Sequence, residues 1–365
     1  MKRILLTGGG SAGHVTPNVA LVPSLRREGF EIHYAGGRGG MERALASPVA
    51  DEYHAVSSGK LRRYFDLKNF TDIFKVAKGF FDAIIIIGRV KPLVVFSKGG
   101  YVSVPVVAAA WLFGVPVVAH ESDFTPGLAN RLSFPFAKTI CVSFPETLDS
   151  VPKKKSALTG TPVRESLLDG DIETARKICG FEADKPAVLI VGGSQGAASI
   201  NKSARAALPR LLEKYNVVHL CGKGNIKNCD YDGYFQLEYA ENELPHLYAQ
   251  ADVIVSRAGA NTIGELVALR KPNILVPLPR QKTSRGDQAS NAESMEGRGL
   301  STVIMDRELT PDKLADAIDE LYVNKDAFAE RIEAYGATQN AGGSAIEKIV
   351  GVILAAAKKT KAGAP

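Results

Sequence analysis

Ile4-Leu5-Leu6-Thr7-Gly8-Gly9-Gly10-Ser11-Ala12-Gly13-His14 opens the chain, and Val188-Leu189-Ile190-Val191-Gly192-Gly193-Ser194-Gln195-Gly196 repeats its pattern about half the chain later. Each is a hydrophobic strand that runs into a glycine-rich turn and then a helix. Only glycine lets a backbone turn this tightly, or come this close to a bound group. The N–H groups at the helix start then suit a phosphate. One such turn is a weak sign of a nucleotide fold. Two of them predict an α/β chain with two Rossmann-like domains facing each other across a cleft.

Working outward, strand signals recur at Arg3–Thr7, Glu31–Ala35, Leu93–Ser97, Val115–Ala119, Thr139–Val142, Ala187–Val191, Val217–Leu220, Val253–Ser256 and Asn273–Val276, with helical stretches between them. Non-alternating Val/Ile runs at this spacing argue for parallel sheets covered on both faces. A length of 365 residues suits two domains. Lys153-Lys154-Lys155 precedes Thr159-Gly160-Thr161-Pro162-Val163-Arg164, which sets an expected junction: domain one over 1–162, domain two over 163–340. Asn340 to Gly343 then breaks the chain before a last helix within 341–358, expected to cross back and pack on the first domain.

Apolar residues make up 45% of the chain, enough for two cores. The four cysteines form no C-x-x-C pair, so neither a disulfide framework nor a zinc knuckle is indicated, and a reducing cytosol fits. Met1-Lys2-Arg3-Ile4 leads directly into a strand without a signal-peptide pattern. The apolar run from Val102 to Ala119 is broken by Pro105, Gly114 and Pro116, and reads as helix, turn and strand rather than as a membrane span.

Net charge is +6, unevenly placed: residues 1–162 hold 20 Lys+Arg against 12 Asp+Glu, the remainder 25 against 27. A basic first half implies an anionic partner, either nucleic acid or a membrane surface. Between Lys60 and Lys91, eight basic residues outnumber three acids. Asp66 stands where it could cap a helix whose Leu67, Phe70, Phe74, Ala77, Phe81 and Ile84 recur at helical spacing. One reading is a core-facing stripe with a solvated basic face. The other is a membrane patch of Phe70, Phe74, Phe81, Lys75 and Lys78, with rings in the headgroup layer and cations on anionic lipid. No nucleic-acid recognition module accompanies it.

Gly8-x-Gly10-x-x-Gly13 matches the dinucleotide fingerprint, which expects an acid at the end of the second strand. That strand ends Tyr34-Ala35-Gly36-Gly37, which disfavours an NAD dehydrogenase. His14, at the mouth of the first helix, is either a general base or a residue packing the turn, and spacing alone leaves both open. Ser256-Arg257-Ala258-Gly259-Ala260-Asn261-Thr262-Ile263-Gly264-Glu265 follows another strand, so its helix start can face a diphosphate and Glu265 can accept ribose hydroxyls. Gly286-Asp287-Gln288-x-x-Asn291 is a further polar helix start. Asp169-Gly170-Asp171 and Asp230-Tyr231-Asp232 read as loop acids, and the six histidines lack ligand spacing, so no metal is expected.

Taken in order, Gly8 to His14 with Pro17, Lys98-Gly99-Gly100-Tyr101-Val102, His120-Glu121, Pro126-Gly127-Leu128-Ala129-Asn130, Gly160 to Arg164, Gly192 to Gly196 and Ser256 to Ala260 resemble the bacterial peptidoglycan N-acetylglucosaminyltransferases that convert lipid I to lipid II. The resemblance runs from the first strand to about residue 300. It implies a GT-B architecture and inverting, metal-independent transfer of GlcNAc from UDP-GlcNAc to the 4-hydroxyl of an undecaprenyl-linked MurNAc, without a cofactor. It implies a peripheral protein on the cytoplasmic face of the cell membrane, partnered by lipid I, an anionic lipid surface and wall-synthesis proteins.

By the same resemblance, His14 is the favoured base and Glu121 a second catalytic candidate, with Tyr101 and Asn130 on the acceptor side. The donor would meet Gly10, Ser11, Ala12, Asp123, Arg164, Ser194, the loop at Glu241, the run Ala260, Asn261, Thr262, Ile263, Gly264 and Glu265, and Gln288. Two departures stand out. Ser11-Ala12 replaces the common Thr-Gly, and Ser122-Asp123 replaces Gln-Asn after His-Glu. The alternatives are a paralogue using another lipid-linked or glycolipid acceptor and, from a different class, an NAD-linked oxidoreductase.

Overall fold

The computed structural model describes residues 2–39, 41–59, 68–182, 184–193, 195–229, 231–280 and 286–361, with the side chains of 68–74 and 359–361 outside that description. The chain divides into two compact units. Unit 1 takes Met1–Arg164 with Gln339–Pro365, and unit 2 takes Glu165–Thr338. The junction falls two residues beyond the expected one, so Arg164 counts with unit 1.

Unit 1 holds seven strands: β1 (Lys2–Thr7), β2 (Phe30–Gly37), β3 (Glu52–Val56), β4 (Val94–Ser97), β5 (Val117–Glu121), β6 (Thr139–Val142) and β7 (Ser156–Leu158). All pair in parallel, in the order β3-β2-β1-β4-β5-β6-β7. Its helices are α1 (Ala12–Arg27), α2 (Met41–Ala46), α3 (Lys68–Val90), α4 (Ser103–Leu112) and α5 (Leu128–Ser133). Unit 2 holds β8 (Ala187–Val191), β9 (Asn216–Leu220), β10 (Tyr234–Leu237), β11 (Ala251–Ser256), β12 (Asn273–Leu275) and β13 (Thr302–Val303), parallel in the order β10-β9-β8-β11-β12-β13. Around them lie α6 (Ile172–Cys179), α7 (Ala198–Leu211), α8 (Leu244–Gln250), α9 (Ala260–Ala268), α10 (Asp287–Gly297), α11 (Pro311–Val323) and α12 (Lys325–Gln339); α13 (Ala345–Lys361) ends the described chain.

The central strands read as unbroken apolar runs because both faces of each sheet are covered. In β1, Ile4 and Leu6 point to one face and join Leu21, Leu25, Ile32, Ile346, Ile349 and Ile353. Leu5 points to the other face, among Ala35, Val56, Ala83, Ile87, Val90 and Val106. The last helix therefore completes unit 1: α13 packs beside α1 and closes a face that α1 alone leaves open. Each of its fully buried isoleucines contributes about 1.5–3 kcal/mol. In unit 2, Val188, Ile190, Val253 and Val255 meet α7 and α11.

In each sheet the strand order reverses at one point, between β1 and β4 and again between β8 and β11. Parallel α/β sheets bind ligands outside the carboxyl ends of strands at such a point, where adjacent connections leave to opposite faces. All four loops in question are the glycine-bearing ones.

The run from Val102 to Ala119 is helix α4, a turn and strand β5. Among the described residues no helix is long and apolar enough to cross a membrane. In α3 the buried face is Ala83, Ile86, Ile87 and Val90, whereas Phe81 is 65% and Ile85 68% exposed. Ala77 and Phe81 thus lie outside a core-facing stripe, the first of the two readings of this helix; Gly79, buried against the Ser57 carbonyl, lies on the inward face instead. The Phe70 and Phe74 side chains, and Asp66 and Leu67, lie outside the described residues.

Candidate functional site

In unit 1 the turn after β1 is built by contact with the turn after β4. Lys98 N–H donates to the Thr7 carbonyl at 2.9 Å and Gly9 N–H to the Gly99 carbonyl at 3.3 Å. Gly10 sits at φ +89°, and a Cβ there would lie 2.6 Å from the Tyr101 ring. Gly100, at φ +83°, presses on the Gly9 backbone. Any side chain at either place would push the turns apart. Beneath them, Asn18 Nδ2 donates to the Thr7 carbonyl and Tyr34 OH donates to the Gly8 carbonyl, at 3.2 and 2.9 Å.

Glu42, from α2, is 2% exposed and accepts the Gly10 N–H at 2.6 Å. A carboxylate thus stands where a dinucleotide would place its pyrophosphate, which removes the NAD reading of this fingerprint. Ser11 is the N-cap of α1, yet its hydroxyl makes no cap bond; Oγ instead lies 3.0 Å from His14 Nδ1 and orients the imidazole. His14 is half-buried at the helix mouth.

Beside this turn, β5 ends in a buried network. His120 Nδ1 lies 2.8 Å from Lys98 Nζ, and its Nε2 lies 3.0 Å from the Gly160 carbonyl. Lysine can only donate, so Nδ1 accepts and Nε2 carries the proton. Burial and the Lys98 charge hold His120 well below its usual range. Burial also brings Lys98 down to about 8, against the pull of the Glu121 and Asp123 carboxylates. Lys98 Nζ also contacts Ser122 Oγ.

Glu121 is 4% exposed. Its Oε1 accepts from Asp123 N–H at 3.0 Å, and its Oε2 from Gly127 N–H at 2.8 Å and Asn130 Nδ2 at 3.0 Å. The Glu121 carboxylate therefore shapes the loop 122–127, and Asn130 bridges it to the His120 carbonyl at 3.1 Å. Tyr101 is half-buried over Gly10, its hydroxyl pushed above its usual range by burial and by the Glu42 charge.

In unit 2 the turn after β8 places Gly193 at φ +81° and Gly196 at φ +75°, with Gly196 against the Cys221 carbonyl; Ser194 lies outside the described residues. The turn after β11 is held by Arg257. Its Nη1 donates to Asp306 Oδ1 at 2.5 Å and to the Val276 carbonyl at 3.1 Å, and its Nη2 to Ser199 Oγ at 2.9 Å. From α10, Asn291 Nδ2 donates to the Ala258 carbonyl at 3.1 Å, and Gln288 Oε1 accepts the Leu278 N–H at 2.9 Å. The helix that follows, α9, starts at Gly259 with no side-chain cap and no acid in its first turn. Ala260, Asn261, Thr262, Ile263 and Gly264 form its opening turns, and Glu265 Oε2 accepts from Tyr248 OH at 3.2 Å. The Glu241 N–H donates to Glu243 Oε2 at 3.1 Å. Arg164 Nε is buried without a hydrogen-bond partner among the described residues.

The chain matches the glycosyltransferase family 28 N-terminal domain over residues 4–142 and the family's C-terminal domain over 187–347. The chain belongs to glycosyltransferase family 28. A Clostridium kluyveri relative is 53% identical over 96% of this chain and 99% of its own length. Its name is UDP-N-acetylglucosamine--N-acetylmuramyl-(pentapeptide) pyrophosphoryl-undecaprenol N-acetylglucosamine transferase. A Lachnoclostridium phytofermentans relative of the same name is 51% identical over 97% of this chain and 98% of its own. The crystal structure of Acinetobacter baumannii MurG superposes with a TM-score of 0.72 at 25% identity, covering 97% of this chain and 99% of that one. CalG4, the calicheamicin glycosyltransferase, shares the fold at a TM-score of 0.71 and 15% identity.

The expected residues divide between the two units. In unit 1, Gly10 and Ser11 stand in the turn before α1, Ala12 and His14 in the first turn of α1, Tyr101 and Asp123 in loops, Glu121 at the end of β5 and Asn130 in α5, and Arg164 closes the unit's first segment. Ala260 to Glu265 and Gln288 belong to unit 2. Three further residues act here without having been assigned a role from sequence: Glu42, Lys98 and Arg257. Lys98 and Arg257 stood inside motifs already singled out, each directly after a strand. Glu42 gave no local signal, because its partner Gly10 is 32 residues away. Asp171 is a loop acid with a plain task, since it caps α6 by accepting the Thr174 N–H at 2.8 Å.

Proposed function

We propose that this transferase moves GlcNAc from UDP-GlcNAc to the MurNAc 4-hydroxyl of undecaprenyl-linked lipid I, with inversion and without a metal ion. The observation that carries this reading is the 51–54% identity, over most of both chains, to transferases named for that reaction. The geometry fits it. The uncapped start of α9 offers N–H dipoles to the departing diphosphate, as an electrostatic substitute for a metal. Glu265, a turn into the helix, takes the ribose hydroxyls, while Arg164, Ser194, Gln288 and the loop at Glu241 serve the rest of the nucleotide sugar.

In unit 1, His14 is the base that takes the acceptor proton, oriented by Ser11 Oγ. Glu121 acts as a positioning residue: with its carboxylate occupied by Asn130 and two backbone N–H groups, it sets the loop that carries Asp123. Tyr101 and Asn130 serve the acceptor, and Gly10, Ser11 and Ala12 the donor.

Unit 1 would dock on the anionic cytoplasmic leaflet through exposed Phe81, Ile85, Trp111, Leu112 and Phe113, flanked by exposed Lys75 and Lys78. Phe113 and α3 adjoin, since a Cβ on Gly88 would lie 3.9 Å from the Phe113 ring.

The test is transfer of labelled GlcNAc from UDP-GlcNAc to a lipid I analogue with chelator present. Labelled product and released UDP are expected. UDP binding without transfer would overturn the acceptor assignment and turn attention to Asp123.

A further inference from the structure

The histidines show no ligand spacing along the chain, yet the fold pairs two of them. His33 on β2 and His54 on the edge strand β3 lie on the sheet face that α3 covers, with Glu52 two residues before His54 on the same face. The two rings meet edge to edge, their centroids 5.3 Å apart and their planes 20° apart, and His33 Nδ1 lies 3.0 Å from His54 Nε2, so one nitrogen donates to the other. Glu52 Oε2 is 3.7 Å from His33 Nδ1. One ligand atom from each of the three residues falls within 4.8 Å of the others. A tetrahedral zinc ion with bonds of about 2.0–2.1 Å holds its ligand atoms roughly 3.3 Å apart, so the ion would replace the proton shared by the two rings, with both rings turning to aim their lone pairs at it and Glu52 closing in.

The surroundings match what such a centre needs. Histidine ligands usually give their second nitrogen to a carboxylate, which fixes the ring and raises its basicity. Here Glu31 Oε1 stands 3.2 Å from His33 Nε2, and Arg3 Nε holds the other Glu31 oxygen at 3.1 Å. His33 and His54 are 4% and 7% exposed, and burial pulls the His54 pKa down, which keeps its lone pair available. Glu52 remains 43% exposed, giving an entry side and room for a water as fourth ligand. The Arg89 guanidinium lies 3.4 Å from Glu52 Oε1, and its side chain is 74% exposed, so it can swing clear.

We infer that His33, His54 and Glu52 form a binding site for one first-row divalent ion with a preference for imidazole, zinc foremost. The ion would fasten edge strand β3 to β2. His33 pairs in register with Leu5, two residues short of Thr7 where the glycine turn begins, so the site supports the sheet behind the reaction centre.

Calorimetric titration of zinc chloride into chelator-stripped full-length protein tests this. One equivalent should bind at micromolar or tighter affinity and raise Tm. Glu52→Gln, on a half-exposed side chain that leaves the fold intact, should weaken binding at least tenfold, as should His54→Gln. Cobalt should give tetrahedral visible bands without thiolate charge transfer. Millimolar or absent binding, unchanged affinity in folded Glu52→Gln, or a thiolate band pointing to a cysteine would each overturn the site.

Discussion

The turn after β1 and the turn after β11 look alike on paper, each a strand, a glycine and a helix start, yet they are finished differently. At the first, Glu42 places a carboxylate on the Gly10 N–H and Tyr101 closes over the glycine. An anion arriving there would meet negative charge. At the second, no acid stands in the first turn of α9, and Arg257, which holds the turn, lies one residue before Ala258. On the proposed reading, the same backbone geometry serves proton chemistry in unit 1 and a diphosphate in unit 2, and the side chains packed behind each turn make the difference.

That contrast can be broken most sharply at His14. Replacing it with Ala should lower turnover about 100-fold or more while UDP affinity, read by calorimetry, stays near wild type. Unchanged turnover would remove the base from unit 1.

Arg257→Ala attacks the other turn. It leaves the Asp306 carboxylate, whose side chain is 18% exposed, with the Ser199 hydroxyl but no cation, and frees the loop before α9. Losing one partner of a buried pair costs about 3–5 kcal/mol; somewhat less is expected at this partial exposure. A lower Tm together with weaker UDP binding is the expected result, and weaker binding without loss of Tm would mean that Arg257 meets the nucleotide directly.

Glu265→Ala should cost about 1–3 kcal/mol of UDP affinity and abolish discrimination between UDP and 2′-deoxy-UDP. If the variant still prefers UDP, the ribose is held elsewhere.

The smallest effect is expected at the surface of unit 1. Phe81→Ser and Ile85→Ser should each weaken binding to anionic liposomes several-fold in co-sedimentation, with the cooperative melt retained, because both side chains are more than half exposed. Loss of the melt instead would assign them to the core.

The strands that periodicity found and those it missed differ by position in the sheets. Every one of the nine apolar runs is a strand with neighbours on both sides, buried on both faces. The four that went unseen, β3, β7, β10 and β13, are the edges of the two sheets. An edge strand pairs on one side only and stays partly solvated, so Glu52–Val56 and Ser156–Leu158 carry no Val/Ile run to betray them. In α3 the helix itself was legible from its spacing, but its inward face was not, since packing against the Ser57 backbone chose it.

The site divides in the same way. Its local parts were readable from residue type and order alone: glycine turns, His14 at a helix mouth, Glu265 a turn into α9, and the ordered motifs that resemble family 28. Such features depend on φ freedom and helix periodicity, which act over a few residues. Only the tertiary structure decided that Glu42 holds Gly10, that the Glu121 carboxylate is occupied by its own loop, and that His33 meets His54. Those contacts join residues 32, 9 and 21 positions apart, some across neighbouring strands. Hydrogen bonds and charges act through space, and nothing in the local order of a chain records which distant side chain the fold will bring to meet them.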